Sequence, residues 1–235
     1  MTRHTLYELL ITLALPVLLA LPPTASAQTA PTHEEMTAYS GLHAAVVGGS
    51  VAGIERLVRD GGDIDMRDGF GRTPLMVAAF RRDLAVARAL VELGANVNAL
   101  EHQSYDAITI AAVQNDTDML QLLLSAGGNA RAITSPYGGT ALIAAAHLGH
   151  VEAVQALIAG RAPLDHVNRL GMTALIEAIV LGDGKERHQA VVAALVAGGA
   201  DVNLANRQGT SPFALAVDRK FMEIARILEQ AGGKP

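Results

Sequence analysis

The stretch Gly71-Arg72-Thr73-Pro74-Leu75-Met76-Val77-Ala78, continued by Gly94-Ala95-Asn96-Val97-Asn98, decides the fold. Thr73 can cap a helix with its hydroxyl, and Pro74 suits the first helical position, where a backbone N–H has no partner to lose. Gly94 suits the left-handed residue that ends a helix. The stretch therefore predicts a helix, a turn and a second helix that stops at Gly94.

This pattern occurs six times along the chain. Its large apolar position recurs at steps of 33, 33, 34, 33 and 38 residues, at Leu42, Leu75, Ile108, Leu142, Leu175 and Phe213. Three residues later every copy has an alanine, at Ala45, Ala78, Ala111, Ala145, Ala178 and Ala216. Every second helix carries a leucine, at Leu57, Leu90, Leu123, Leu157, Leu195 and Leu228. Such a repeat predicts a stack of helix pairs in which each pair buries its apolar faces against its neighbours.

Helix, turn, helix and hairpin at this period resemble the ankyrin repeat, and the resemblance covers about residues 37–233. It implies an all-α fold, an ankyrin-repeat solenoid of about six helix-turn-helix repeats joined by short β-hairpin turns. We expect the repeat domain to span residues 37–235. The expected repeats are 37–68, 69–101, 102–134, 135–168, 169–206 and 207–235.

Some copies depart from the family pattern. The family's histidine after the leucine is present only as His43. The hydrogen bonds that this histidine makes between neighbouring repeats are therefore not expected from it in the other copies. Arg161 replaces the helix-ending glycine of copy four, and we expect a distorted helix end there. Copy five has about five extra residues near Asp183–His188, expected to form a tolerated loop away from any partner. Polar residues in copy six, such as Lys220, indicate a terminal cap.

The first 27 residues have the features of a signal peptide. Arg3 precedes an apolar run over residues 9–21, and Ala25-Ser26-Ala27 offers a cleavage site. We expect cleavage after Ala27 and a periplasmic or secreted protein; an uncleaved membrane anchor is the alternative. Residues 28–36 are expected to form a flexible leader or an N-terminal cap, because Thr32 and Glu35 have capping-box spacing.

Composition excludes several classes of function. The chain has no cysteine, which removes disulfides, thiolate metal sites and cysteine nucleophiles. Its net charge of −5 argues against nucleic acid as a partner. No enzyme motif is present, and the histidines are scattered over different copies, so we predict no enzyme activity and no cofactor. A metal- or haem-handling protein that uses scattered His and Met residues is the alternative from another class.

The resemblance implies that partners bind the hairpin tips and the inner helices. The candidate residues in the hairpins are Phe70, Arg72, Gln103, Tyr105, Tyr137, Leu170 and Met172. Those at the ends of the inner helices are Phe80, Arg81, Gln114, His147, Leu148 and Leu181. Aromatic and large apolar side chains aimed at solvent favour an interface, although Phe70 or Phe80 could instead fold back as a local lid.

Together these features predict a monomeric, non-enzymatic module that binds a protein partner and does not insert stably into a membrane once the signal is removed. The chain also resembles a group of exported bacterial ankyrin proteins, some of them associated with catalase and peroxide resistance. That resemblance implies a role in stress resistance, which no residue of this chain indicates by itself.

Overall fold

Within residues 30–234, one short helix is followed by six helix pairs. The computed structural model describes residues 30–234, so the predicted signal peptide lies outside the described residues. Within that range the helices are α1 His33–Ala38, α2 Gly41–Val47, α3 Val51–Arg59, α4 Pro74–Phe80, α5 Leu84–Glu92, α6 Ala107–Val113, α7 Thr117–Ser125, α8 Ala141–Leu148, α9 Val151–Ala159, α10 Ala174–Val180, α11 Glu186–Ala197, α12 Pro212–Asp218 and α13 Met222–Gln230. The predicted all-α solenoid is confirmed.

Five of the six inner helices between residues 30 and 234 begin at a side-chain cap, whereas Ser40 makes no such hydrogen bond at α2. Thr73 accepts a hydrogen bond from the Met76 N–H at 3.4 Å, and Pro74 occupies the first helical position. Asp106 replaces the usual threonine in the third copy and accepts from the Thr109 N–H at 2.7 Å. A polar side chain thus satisfies a backbone donor that would otherwise have no partner at the start of a helix.

The outer helices end on left-handed residues. Glycine has this conformation in five copies, with φ of 89° at Gly127. Arg161 takes the same place in copy four with φ of 62°, and the Ala162 N–H reaches the Leu157 oxygen at 2.9 Å. The Gly128 N–H reaches the Leu123 oxygen at the same distance. The predicted distortion in copy four is therefore wrong, because the hydrogen bonds are kept and only the backbone of Arg161 is strained.

The core lies between two rows of helices. The inner row is formed by α2, α4, α6, α8, α10 and α12, and the outer row by α3, α5, α7, α9, α11 and α13. Alanines of the repeated column, such as Ala78 and Ala111, are fully buried and let neighbouring helices approach closely. Leucines of the outer row, such as Leu123, fill the space between the rows. Each helix pair therefore depends on its neighbours for burial.

Hairpin turns join the pairs and contact one another. In the first hairpin the Asp68 N–H bonds to the Arg72 oxygen at 3.1 Å. The His102 N–H of the next hairpin donates to the Phe70 oxygen at 3.1 Å, and the Arg169 N–H donates to the Tyr137 oxygen at 2.8 Å. None of these arms is long enough to form a β-strand within residues 30–234.

The extra residues of copy five are part of the packing. They lead into α11, which has 12 residues where the other outer helices have nine. His188 is buried, with its Nδ1 2.8 Å from the Asp183 carboxylate and its Nε2 3.0 Å from the His147 carbonyl oxygen. The insertion is thus tied to the preceding repeat and is not a free loop.

No helix between residues 30 and 234 combines the length and the hydropathy needed to cross a membrane.

At the N-terminal end, Thr32 and Glu35 form the expected capping box of α1. The Glu35 N–H donates to the Thr32 hydroxyl at 3.1 Å, and the Thr32 N–H donates to the Glu35 carboxylate at 2.8 Å.

Candidate binding surface

The tips of the hairpins carry exposed apolar side chains. Phe70, Tyr137 and Leu170 occupy equivalent positions and are 46%, 37% and 42% exposed, while Gln103 fills this position in the third copy and is also exposed. Hydrogen bonds join the first of these hairpins to the second and the third to the fourth. The row is therefore an apolar strip that solvent reaches in the folded chain.

The position two residues beyond each tip points inward. We expected Arg72 and Tyr105 at the surface, but they are only 2% and 4% exposed, and Met172 is half-buried. The residue between the two positions is left-handed, as at Gly71 with φ of 80° and Ser104 with φ of 69°. Such a residue reverses the direction of the chain, so that its two neighbours face opposite sides.

Arg72 is the centre of a buried ionic network. Its guanidinium lies 2.6 Å from the Asp68 carboxylate and 2.9 Å from that of Glu35, and Tyr39 donates its hydroxyl to Asp68 at 2.7 Å. Burial by itself lowers the pKa of Arg72, but the hydrogen bonds to Asp68 and Glu35 raise it above its ordinary value. The guanidinium also lies 4.5 Å from the Phe70 ring centre. Arg72 therefore holds α1 and the first hairpin in place.

Tyr105 is a packed residue rather than an exposed one. Burial raises the pKa of its hydroxyl to about 12, with the charges of Tyr137 and Glu101 adding to the effect. Glu101 also accepts a hydrogen bond from the Tyr105 N–H at 2.9 Å. Tyr105 is therefore not exposed to a partner, and the prediction that it contacts one is wrong.

Polar ties between repeats exist with and without the family's histidine. His43 is buried, with its Nε2 3.0 Å from the Arg72 carbonyl oxygen. In the third copy Thr109 takes its place: its hydroxyl donates to Asp106 at 2.6 Å and lies 2.7 Å from the hydroxyl of Thr134, in the arm of the next hairpin. A hydroxyl thus replaces an imidazole at one joint of the stack.

The ends of the inner helices form a second, more polar row. Arg81 and Leu148 are exposed, whereas Phe80, Gln114 and Leu181 are half-buried. The Gln114 side chain donates to the Phe80 oxygen at 3.3 Å, so it joins adjacent repeats. Phe80 packs against the core, so only part of its ring is available to a partner.

Glu177 is a buried charged residue beside this surface that the sequence analysis did not single out. Its carboxylate is buried on the inner helix α10, accepts from the Asn168 amide at 2.7 Å and lies 3.3 Å from His147 Nδ1. Glutamate stands here at a position that is valine or isoleucine in copies two and three, at Val77 and Ile110. A charged residue in an otherwise apolar column was the available signal.

A second apolar column in the hairpin arms was also missed. Leu100, Ile133 and Val167 occupy one position in three successive copies, and all three are exposed, Ile133 by 57%. Arg67 fills the position in the first copy, so the column is apolar in the second, third and fourth copies but not from the start of the array. Its recurrence in the middle copies was the signal that could have found it.

Residues 30–234 contain no group of three His, Asp or Glu side chains arranged to hold a metal ion.

The row of hairpin tips and the row of inner-helix ends together form the tip-and-end surface. It consists of the tips at 69–72, 102–105, 136–139, 169–172 and 207–210, and the helix ends at 80–82, 113–115, 147–149, 180–182 and 218–220.

A stack of helix pairs with a row of exposed tips defines a repeat solenoid of the protein-interaction class. The family model for ankyrin repeats matches residues 25–101, 42–132 and 108–206. The chain belongs to the ankyrin-repeat family, whose repeats bind protein partners.

Known relatives agree over most of the chain. The putative ankyrin repeat protein YahD of Escherichia coli K12 is 32% identical over 185 residues, which cover 78% of this chain and 92% of that protein. The crystal structure of an ankyrin repeat domain from Acinetobacter baumannii AYE matches with a TM-score of 0.78 and 41% identity, over 82% of this chain and 98% of the other. The crystal structure of the ankyrin repeat domain of Bcl-3 matches with a TM-score of 0.73 and 27% identity, over 84% of this chain and 88% of the other.

Proposed function

We propose that this protein is an exported, non-enzymatic scaffold that binds a protein partner through its tip-and-end surface. The observation that carries the proposal is the row of exposed tips, in which Phe70, Tyr137 and Leu170 face solvent at equivalent positions of a rigid stack. Exposed aromatic and large apolar side chains in one row provide the contacts that dominate the affinity of protein interfaces. The scaffold can present them without paying to order a loop.

The proposal is tested by capture from periplasmic extract with the immobilised processed protein. We expect the double variant Tyr137→Ala, Leu170→Ala to lose a protein that the parent retains. The matched control is Met222→Ala, because Met222 is exposed on the last outer helix, away from the tips. Equal capture by the parent and the double variant would overturn the role of the tips.

Export is part of the proposal and is supported by the signal-like residues 1–27. We expect the mature protein in the periplasmic fraction to begin at Gln28, as intact mass and N-terminal sequencing would show. A full-length protein that sediments with membranes would support the anchor alternative instead.

A role in peroxide resistance is the finest part of the proposal, and its support is the resemblance to exported ankyrin proteins. A strain that lacks the protein is expected to lose viability in hydrogen peroxide, and the parent protein should restore it. The tip variant Tyr137→Ala, Leu170→Ala should fail to restore it if partner binding is the relevant activity.

A further inference from the structure

Charge is distributed unevenly between the tip-and-end surface and the rest of the chain. This surface contains one acidic residue, Asp218, and seven basic residues, of which Arg72 is buried and six are exposed: Arg81, Arg82, Arg169, Arg207, Arg219 and Lys220. The chain has 18 basic and 23 acidic residues, so 11 basic and 22 acidic residues remain elsewhere. A protein with a net charge of −5 therefore presents a cationic face.

Most of these cations have no carboxylate partner. Arg72 pairs with Asp68 and Glu35, and Arg82 lies 3.3 Å from Asp116. Among the described residues no carboxylate comes within ion-pairing distance of the remaining five: Arg81, Arg169, Arg207, Arg219 and Lys220. Their positive charge is left to act on whatever approaches the surface.

Two of these cations are held along the row of tips. The Arg169 guanidinium donates to the Pro136 oxygen at 2.9 Å, and the Arg207 guanidinium donates to the Arg169 oxygen. Each arginine thus spans two hairpins, and its side chain loses less conformational entropy when a ligand binds. Backbone carbonyls orient these guanidinium groups without neutralising their charge.

The chain's own α1 shows what this surface accepts. Glu35 of α1 contacts the Arg72 guanidinium at 2.9 Å, beside the first tip. The next residue, Met36, places its sulfur 3.9 Å from the guanidinium of Arg81, which follows the last residue of the inner helix α4. A segment with a carboxylate followed by an apolar side chain therefore lies against the surface of the second repeat.

Apolar side chains lie between the cations in the later repeats. Tyr137 and Leu170 are exposed at the tips, and Leu148 is exposed at the end of α8. We propose that the tip-and-end surface binds an acidic, apolar segment of a partner protein. Its carboxylates pair with Arg81, Arg169 and Arg207, and its apolar side chains cover Tyr137 and Leu170. This inference rests on the proposed function and adds the chemistry of the partner.

Selection of random 12-residue peptides displayed on phage, with the processed protein as bait, tests the proposal. We expect the retained peptides to be enriched in Asp and Glu together with Leu and Phe, relative to the starting library. Synthetic copies should bind about tenfold more weakly to the triple variant Arg81→Gln, Arg169→Gln, Arg207→Gln, as fluorescence anisotropy would measure. The same loss should follow when the salt concentration is raised tenfold, because exposed charge pairs are screened.

The matched control is the triple variant Arg56→Gln, Arg59→Gln, Arg88→Gln, which removes the same charge from exposed positions on the outer helices. It should bind the peptides within about twofold of the parent. Arg169 and Arg207 also join hairpins, so their loss could disturb the fold. A second variant therefore carries Arg81→Gln and Lys220→Gln. Among the described residues, neither of these side chains donates to the backbone of a neighbouring repeat.

Neutral or basic peptides whose binding depends on Tyr137 and Leu170 would overturn this inference and leave the proposed function standing. Peptides that bind equally well to the arginine variants and to the tip variant would overturn both. A failure to enrich any peptide would overturn the inference as well. Equal binding of a 20-nucleotide single-stranded DNA, lost in the arginine variant, would assign the cations to phosphate instead.

Discussion

Two tyrosines in adjacent hairpins have opposite environments. Tyr105 is buried beyond a left-handed serine, whereas Tyr137 is exposed at a tip. Tyr105→Ala should therefore lower the free energy of unfolding by roughly 3 kcal/mol, because it leaves a cavity. Tyr137→Ala should change it by no more than about 0.5 kcal/mol. Urea unfolding followed by circular dichroism distinguishes the two, and equal losses would place both side chains in the core.

The Asp68 carboxylate makes stability depend on pH. Burial raises the pKa of Asp68, but hydrogen bonds from Tyr39 and Arg72 lower it more, so it lies below its usual value. A depressed carboxyl pKa adds stability that is complete above the unfolded pKa of about 4 and is lost as pH falls through the folded pKa. Asp68→Asn should cost about 3 kcal/mol at pH 7, since it leaves Arg72 with one partner fewer.

The difference between Asp68→Asn and the parent should shrink as the pH is lowered toward the folded pKa of Asp68, in unfolding curves measured between pH 7 and pH 2. The control is Asp60→Asn, because Asp60 is exposed at the end of α3. A constant difference at all pH values would mean that the network does not stabilise the fold through the charge of Asp68.

The sequence predicts the caps and the buried columns well, because each depends on one residue type at one backbone position. Thr73 is predicted to cap an inner helix and does so. Side-chain direction in the hairpins was not predicted, because a single left-handed residue decides which neighbour is exposed. The pairing of Arg72 with Glu35 joins residues 37 positions apart, and no local pattern reveals it.

At the scale of the helix, the end of α9 has a residue that costs stability. Arg161 adopts φ of 62°, where five other copies have glycine. Arg161→Gly should raise the free energy of unfolding by about 0.5–1 kcal/mol, because a left-handed backbone costs a side-chain-bearing residue more than it costs glycine. Thermal unfolding would measure the gain.

Gly127→Ala is the matched reverse substitution. Gly127 has φ of 89° and open space where a Cβ would stand, so only its backbone conformation opposes the change. We expect a loss of about 1 kcal/mol. If neither substitution changed the free energy of unfolding, backbone strain at these positions would not affect the stability of the protein.

At the scale of the whole molecule, stability is shared between neighbouring repeats. Leu123 and Leu228 are both fully buried, but Leu123 lies in a central repeat and Leu228 in the last one. Leu123→Ala should cost about 2–5 kcal/mol and lower the unfolding temperature of the entire stack. Leu228→Ala should mainly loosen α12 and α13, because this pair has a neighbour on one side only.

Hydrogen exchange of the native protein separates these outcomes. Amides of the last repeat should exchange faster in Leu228→Ala while those of the central repeats keep their protection. Uniformly faster exchange in both variants would indicate that the six pairs unfold as one indivisible unit.

The longer fifth copy limits how the array can be recombined. His188 reaches back to the His147 carbonyl, and a side chain at Gly182 would come within 2.6 Å of the His188 ring. Exchanging the fifth copy for a standard one would remove this connection and leave the His147 carbonyl without its imidazole. Copies four and five should therefore be transplanted as a pair, whereas a segment cut between copies two and three crosses no such insertion.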